Sequence, residues 1–209
     1  MQITKLGHSC LHVVDGDANI LIDPGTYSAG FESLTGLTAV LITHQHPDHL
    51  DMDRLPALRA ANPAAHVYAD AGSAPAIADA GFPVTTVSAG NNFDVGTSVA
   101  VYGTDHAVIH ADIPLVPNAA YLIGGRLLHP GDSFTLPNLP IEILALPAAA
   151  PWMALKESID YFRAVAPKVA FPIHEKILAN TEMAYLLLGK LAPAGVQWLT
   201  PKQGEPFEL

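Results

Sequence analysis

"THQHPDHLD", residues 43–51, places three histidines and two aspartates in nine positions, directly after the apolar run "LTAVLI" at 37–42. That run has the near-continuous apolar character of a strand buried on both faces of a sheet. Polar side chains at the exit of such a strand are costly unless they are bound to something. His44, His46, Asp48 and His49 form an H-x-H-x-D-H pattern. If His44 and His46 continue the extended backbone, their side chains fall on the same side, because the strand period is two. Two imidazoles so placed can share one ion at ~2.0–2.1 Å. Pro47 stiffens the chain and turns it, which aims Asp48 and His49 at a second ion ~3.5–4 Å away. The alternative is a solvated turn rich in His and Asp by chance, in a chain with ten histidines. It fits poorly with four donors in that order at that place.

Outward from this segment, composition bounds the rest. The chain has 209 residues, half of them hydrophobic and 14% charged, which suits one domain over 1–209 with a sizeable core. Its formal net charge is −10, and no Lys or Arg occurs between Ala61 and Gly125. Nucleic acid and anionic membrane both need basic surface, so neither is an expected partner; a small-molecule substrate is, with room for a homo-oligomer. Cys10 is the sole cysteine, which excludes an internal disulfide framework and a Cys-rich zinc module. It reads as a small buried residue in a reducing compartment. "MQITKLGHSC" at 1–10 has no signal-peptide pattern, and no run approaches the ~18 apolar residues of a membrane span. A cytoplasmic protein is expected.

Short β-type runs dominate: "QITKL", "LHVV", "ANILID", "TAVLIT" and "HVYA", then "VTTVSAG", "TSVAVYGT", "AAYLIGG", "RLLHPG", "IEILAL", "KVAFPI" and "VQWL". Helices are predicted in "MDRLPALRAAN", "AGSAPAIADAG", "ALKESIDYFRAVAP" and "TEMAYLLLGKLAP". In the third of these, Leu155, Ile159, Phe162 and Ala166 form one stripe, and Pro167 closes the helix. Strand series followed by helices imply sheets covered by helices, an α/β layering.

The H-x-H-x-D-H segment resembles the signature of the metallo-β-lactamase fold superfamily, and other landmarks of that family follow in order. "GHS" at 7–9 and "IDP" at 22–24 are similar to its small stand-alone metal-dependent hydrolases, including the ascorbate-6-phosphate lactonase-like branch. The resemblance implies a four-layer αββα sandwich, two mixed sheets flanked by helices. It also implies a binuclear site completed by later residues: His106 or His110 in "VAVYGTDHAVIH", with His106 favoured at the strand end; Asp132 in "RLLHPGDSF" as the bridge; and His174 in "VAFPIHEKI". One ion would then sit on His44, His46 and His106, the other on Asp48, His49 and His174. Gly131 would let the backbone approach closely. His8 and Asp23 are expected to hold ligands by hydrogen bonds from outside, with a backbone-bonded buried histidine as the other reading of His8. His129 is expected in a supporting or structural place, and His12 and His66 as ordinary sheet or surface residues.

Competing chemistry finds less support. "GHSCL" fails the G-x-S-x-G elbow at Leu11, and no Gly-rich phosphate loop occurs. The amidohydrolase barrels also open on H-x-H, but they need ~250 residues and eight βα units. The expected chemistry is hydrolysis of a small ester, lactone, amide or phosphodiester by a hydroxide activated between two divalent ions, with Asp48 orienting the nucleophile or shuttling a proton. Zinc is expected first, with manganese or iron equally suited to His and carboxylate ligands. A non-hydrolytic metal-binding or iron redox member of the same fold is the alternative. The segment "PAAAPW" at 147–152 is more apolar than its lactonase-like counterpart, which favours a substrate of limited charge; Trp152 and Met153 are candidates to line an apolar pocket.

Overall fold

The apolar run before the histidines is a buried strand in the computed structural model, which describes residues 1–209. It spans Ala39–Ile42, and all four side chains are buried. Period two sorts them: Ala39 and Leu41 enter one core, Val40 and Ile42 another. In chain order this strand is β4, after β1 (Gln2–Lys5), β2 (Leu11–Asp15) and β3 (Ala18–Ile22). β5 (His66–Ala69) and β6 (Val84–Thr86) follow it. The last strand of the chain, β14 (Pro206–Glu208), returns to this sheet, whose order is β14-β1-β2-β3-β4-β5-β6. Pairs from β14 to β3 are antiparallel and pairs from β3 to β6 are parallel. Parallel neighbours need crossovers, and two of these carry the short helices α1 (Leu55–Ala61) and α2 (Ala74–Asp79).

The second sheet repeats the plan. Its strands are β7 (Asn92–Asp94), β8 (Ser98–Tyr102), β9 (Ala120–Ile123), β10 (Leu127–His129), β11 (Ile143–Pro147), β12 (Val169–Ile173) and β13 (Gln197–Trp198). They lie in unbroken sequence order, antiparallel from β7 to β10 and parallel from β10 to β13. The crossovers that flank β12 hold α3 (Leu155–Val165) and α4 (Glu182–Lys190).

Three apolar clusters cement four layers. Ile3, Leu11, Ile20 and Leu41 of the first sheet meet Val99, Tyr121, Ile143 and Phe171 of the second. On the outer faces, Leu55, Leu58 and Ile77 cover Leu21, Val40 and Val67, while Ile159, Phe162 and Leu188 cover Leu144, Leu146 and Ala170. Each such side chain contributes about 1.5–3 kcal/mol by leaving water. Tyr121 adds a tether between the sheets, its hydroxyl donating to the Ile42 carbonyl at 2.8 Å. The architecture is an α/β/β/α sandwich of the metallo-β-lactamase type.

Some local expectations need correction. β7 and β14 were not predicted, since three-residue strands with exposed ends carry no periodic signal. On α3 the buried face is Ser158, Ile159, Tyr161 and Phe162. Ala166 lies outside the helix, at φ 44°. Ser158 can be buried because its hydroxyl donates to the Pro147 carbonyl at 2.6 Å. Cys10 is buried as a free thiol. No helix is long and apolar enough to cross a membrane.

Candidate metal centre

Residues that directly follow β3, β4 and β12, together with segments after β8 and β10, converge at one edge of the sandwich. Carboxyl ends of parallel strands are where open α/β sheets place their ligands. The route of the first segment differs from the expected one. β4 stops at Ile42, so His44 and His46 are not on a strand. A turn does the work instead: the amides of His49 and Leu50 both donate to the His46 carbonyl at 2.9 Å. It leaves His44 Nε2 and His46 Nδ1 3.1 Å apart and stacks His49 beside His44 with ring centroids at 4.0 Å.

The donors fall into groups. Those of His44, His46 and His106 lie within 4.8 Å of one another, as do those of His8, Asp48, His49 and His174. Asp132 stands between them. Its Oδ1 is 3.0 Å from His49 Nε2 and 2.9 Å from His174 Nε2, and its Oδ2 is 3.3 Å from His106 Nε2. The structure therefore brings together all seven expected ligand positions. His110 is elsewhere, on an exposed loop beside Asp112 at 3.5 Å.

Second partners fix which nitrogen faces inward on four of the rings. His49 Nδ1–H donates to Asp23 Oδ2 at 2.7 Å, and His174 Nδ1–H to the Ala149 carbonyl at 2.7 Å. His106 Nδ1–H donates to the Ala107 carbonyl. His44 Nδ1–H reaches Thr43 Oγ1 at 3.1 Å, and that hydroxyl donates to Asp23 Oδ2 at 2.7 Å. Asp23 Oδ1 accepts the Thr43 amide at 2.8 Å. One wholly buried carboxylate thus orients two imidazoles. With the outer nitrogens donating, the inner nitrogen of each such ring, when neutral, presents a lone pair.

Within the chain these inward nitrogens meet mainly one another, or nothing. His49 Nε2 faces His174 Nε2 at 3.1 Å. His106 Nε2 is buried without a partner, and Asp132 Oδ1, though close to two ring nitrogens, is aligned with neither. Buried unsatisfied donors and acceptors that converge in this way ask for an ion, and imidazole with carboxylate is a set suited to divalent transition metals. The donors fit such a group.

Charges inside the cage are strongly coupled. Burial pushes His44 well below the usual imidazole range, and the neighbouring His49 adds to it. Burial would also lower His49, but the carboxylates of Asp132 and Asp23 outweigh it and hold His49 well above. Burial alone would raise Asp132; His49 and His174 hold it well below the ordinary carboxylate range instead. Without metal, a proton on His49 therefore lies between two carboxylates, and a bound cation must displace it.

His8 sits against the cage, its Nε2 3.0 Å from Asp48 Oδ2 and its ring centroid 3.9 Å from that of His174. His129 is structural: it is fully buried, and its Nε2–H donates to the Ser9 carbonyl at 2.8 Å. His12 bonds Asn19 within the sheet, and His66 is exposed. Met153 lines an apolar groove with Ala148, Ala149 and Ala150. Trp152 has a place that sequence reasoning missed, its Nε1–H donating to Asp132 Oδ2 at 2.7 Å. Thr43 and Asn118, which accepts the Asp132 amide at 3.0 Å, were missed as well. Gly131 is at φ +60°, and a Cβ there would fall on Asn118 Oδ1 and come within 2.8 Å of Thr43 Cβ. His8, Asp23 and His174 are three of the four non-glycine residues at positive φ, a strain of about 1–2 kcal/mol each that concentrates at sites of function.

The chain is similar to known proteins in sequence and in fold. The relative Protein Rv0786c of Mycobacterium tuberculosis is 50% identical over 185 residues, 86% of each chain. The UPF0173 metal-dependent hydrolase MJ1163 of Methanocaldococcus jannaschii is 24% identical over the full length of both. Among solved structures, the metallo-β-lactamase fold protein YhfI of Bacillus subtilis superposes with a TM-score of 0.75 at 15% identity, covering 99% of this chain and 98% of its own. The family model described as the beta-lactamase superfamily domain matches residues 2–174, and the chain belongs to that superfamily.

Proposed function

We propose that the chain is a metal-dependent hydrolase with a binuclear centre that cleaves a small ester, lactone, amide or phosphodiester. His44, His46 and His106 would hold one ion, Asp48, His49 and His174 the other, and Asp132 both. The observation that carries this reading is the position of Asp132, with Oδ1 toward His49 and His174 and Oδ2 toward His106. Divalent ions in that cage, zinc before manganese or iron, supply Lewis acidity that lowers the pKa of water by several units.

The chain's own groups do the positioning. Trp152 keeps the Asp132 carboxylate from rotating, and Asp23 with Thr43 keeps two imidazoles aimed inward. Asp48 is the cage carboxylate most open to solvent, its side chain 24% exposed against 4% for Asp132. Burial would raise it, but the His8 hydrogen bond and nearby His49 hold it down at about 2, so it meets an incoming water as an anion that accepts its hydrogen bond. The substrate is a small molecule of the cytoplasm rather than nucleic acid, and residues 1–209 act as one domain.

Elemental analysis followed by a panel of lactones, esters and phosphodiesters tests the proposal. Two ions per chain are expected, with Asp132→Ala losing one or both and Asp48→Ala losing turnover. Protein that carries no transition metal, and gains no activity with Zn²⁺ or Mn²⁺, overturns it.

A further inference from the structure

The cavity beside the centre is built almost wholly from one loop. Residues 107–116, "AVIHADIPLV", start directly after His106 and enclose a space of about 410 Å³ against His46 and His106. That lies in the roughly 300–1,000 Å³ range of small-ligand pockets. The loop is fastened at its neck. The His106 amide donates to the Val116 carbonyl at 2.9 Å, and the Ala107 amide to the Asp132 carbonyl at 2.8 Å, while Asp105 bridges Pro117. Ten residues with joined ends form a compact surface loop of the kind that carries function, and the first two of these three tethers involve the candidate ligands His106 and Asp132.

Its composition is unusual for a surface loop. Val108, Ile113 and Leu115 are 64%, 47% and 54% exposed, three of the nine large apolar side chains that the molecule leaves in water. Exposed apolar side chains gathered at the mouth of a cleft beside the candidate ligands mark a binding surface. The charges missing from this place are equally informative. The loop's titratable groups are His110 and Asp112, and no Lys or Arg lines the cavity. Lys5, Arg54 and Arg126 are committed to Glu175, Asp51 with Glu32, and Glu142 respectively. A substrate whose outer parts carry phosphate or carboxylate needs Arg, Lys or a nest of amides to replace its water. This cavity offers apolar side chains instead.

We propose that loop 107–116 selects a neutral carboxylic ester or lactone, seating an apolar arm of several carbons against Val108, Ile113 and Leu115. The reaction adds one water across the acyl carbon–oxygen bond and yields a carboxylic acid and an alcohol. The inference rests on the hydrolase reading and narrows it, since phosphodiesters and phosphorylated sugars become poor substrates.

Zn²⁺-loaded protein is assayed with p-nitrophenyl acetate, butyrate and hexanoate and with bis(p-nitrophenyl) phosphate. The expected result is a rise in kcat/KM of about twofold to fourfold per methylene, the range for a partly to fully buried CH₂, with the phosphodiester at least about tenfold below the hexanoate. Leu115→Asp and Val108→Asp bring the hexanoate-to-acetate ratio near one. Leu186→Asp, a change of an exposed apolar residue on α4, leaves the ratio as it is. Binding is read separately through backbone amide shifts on titration with 2-heptanone, an uncharged ester mimic. Shifts gathered in 107–116, and weakened by Leu115→Asp, support the assignment. A flat chain-length series with the phosphodiester preferred overturns this inference and leaves the hydrolase reading intact. Ketone shifts on the loop without turnover of any substrate overturn the hydrolase reading and leave the cavity's preference standing. Ketone shifts spread elsewhere overturn the preference.

Discussion

Trp152 Nε1–H donates to Asp132 Oδ2 at 2.7 Å, so an indole from the segment after β11 holds the carboxylate that stands between the two groups of donors. A hydrogen bond to a charged group is worth about 1.5–3 kcal/mol. Losing such a support from outside the ligand set typically costs 10–100-fold in metal affinity. Trp152→Phe keeps most of the packing against Phe134 and removes the donor. It is expected to weaken metal binding by about that factor in competition with a chromophoric chelator. An affinity equal to wild type would show that Asp132 needs no help from the indole.

Asp23 accepts from the Thr43 amide, the Thr43 hydroxyl and His49 Nδ1–H at 2.8, 2.7 and 2.7 Å. An amide in its place must turn its NH₂ toward one of these donors. In Asp23→Asn the simplest relief is the other tautomer of His49, which puts N–H on the inward nitrogen and blocks it as a ligand. About 10–100-fold weaker metal binding is expected, with a stability loss of roughly 1–3 kcal/mol for the mismatched buried groups. Nitrogen-15 shifts of the His49 ring in metal-free wild type and variant, followed up in pH until the ring is neutral, check the tautomer directly. An unchanged ring would mean that Asp23 does not set it.

The fold was legible because β4 and the strands around it are apolar on both faces, and Leu41 with Val40 serves two cores at once. The seven clustered donors were readable for a related reason: each sits just past such a strand or in a motif of fixed order. What failed to show depends on distance or backbone shape. Nothing in "PAAAPW" announces that Trp152 reaches Asp132, because that bond is set by how the segment after β11 lies over the loop after β10. Nor does spacing reveal that His44 and His46 converge through a turn rather than along a strand. The ladder between Gln2 and Glu208 joins the ends of the chain, and no local pattern encodes it. Positive φ at His8, Asp23 and His174 is likewise invisible in residues that seldom adopt it.

Burial, partly offset by the hydrogen bond to Asp48, lowers His8 to about 4. The folded pKa lies below the unfolded value near 6.5, so between pH 6.5 and 4 the unfolded chain binds the extra proton. Stability of the metal-free protein therefore falls with acidification through that window. His8 contributes roughly 2 kcal/mol of this fall by pH 5, or about 4–8 °C for a chain of this size. His49, held up by carboxylates, acts with the opposite sign, so the wild type must be compared with His8→Asn. Under chelator, the variant is expected to lose several degrees less than wild type between pH 7 and pH 5 in thermal melts. Parallel profiles would remove His8 as the source.

Lys5 Nζ and Glu175 Oε1 pair at 2.8 Å with side chains 3% and 13% exposed, which joins the end of β1 in one sheet to the residue beside His174 in the other. Removing one partner of a buried pair leaves a charge stranded and costs about 3–5 kcal/mol. Glu175→Gln is expected to lower Tm by on the order of 10 °C at pH 7. Burial already lowers Lys5, with Glu175 opposing it, and the variant loses that opposition. The folded pKa then drops further below the unfolded 10.5, the unfolded chain holds more protons in between, and stability recovers as pH rises. The deficit should therefore shrink between pH 7 and pH 9.5, and Lys5→Met with Glu175→Leu should recover most of it at either pH. A deficit independent of pH would show that the loss comes from packing around His174 rather than from a stranded ammonium.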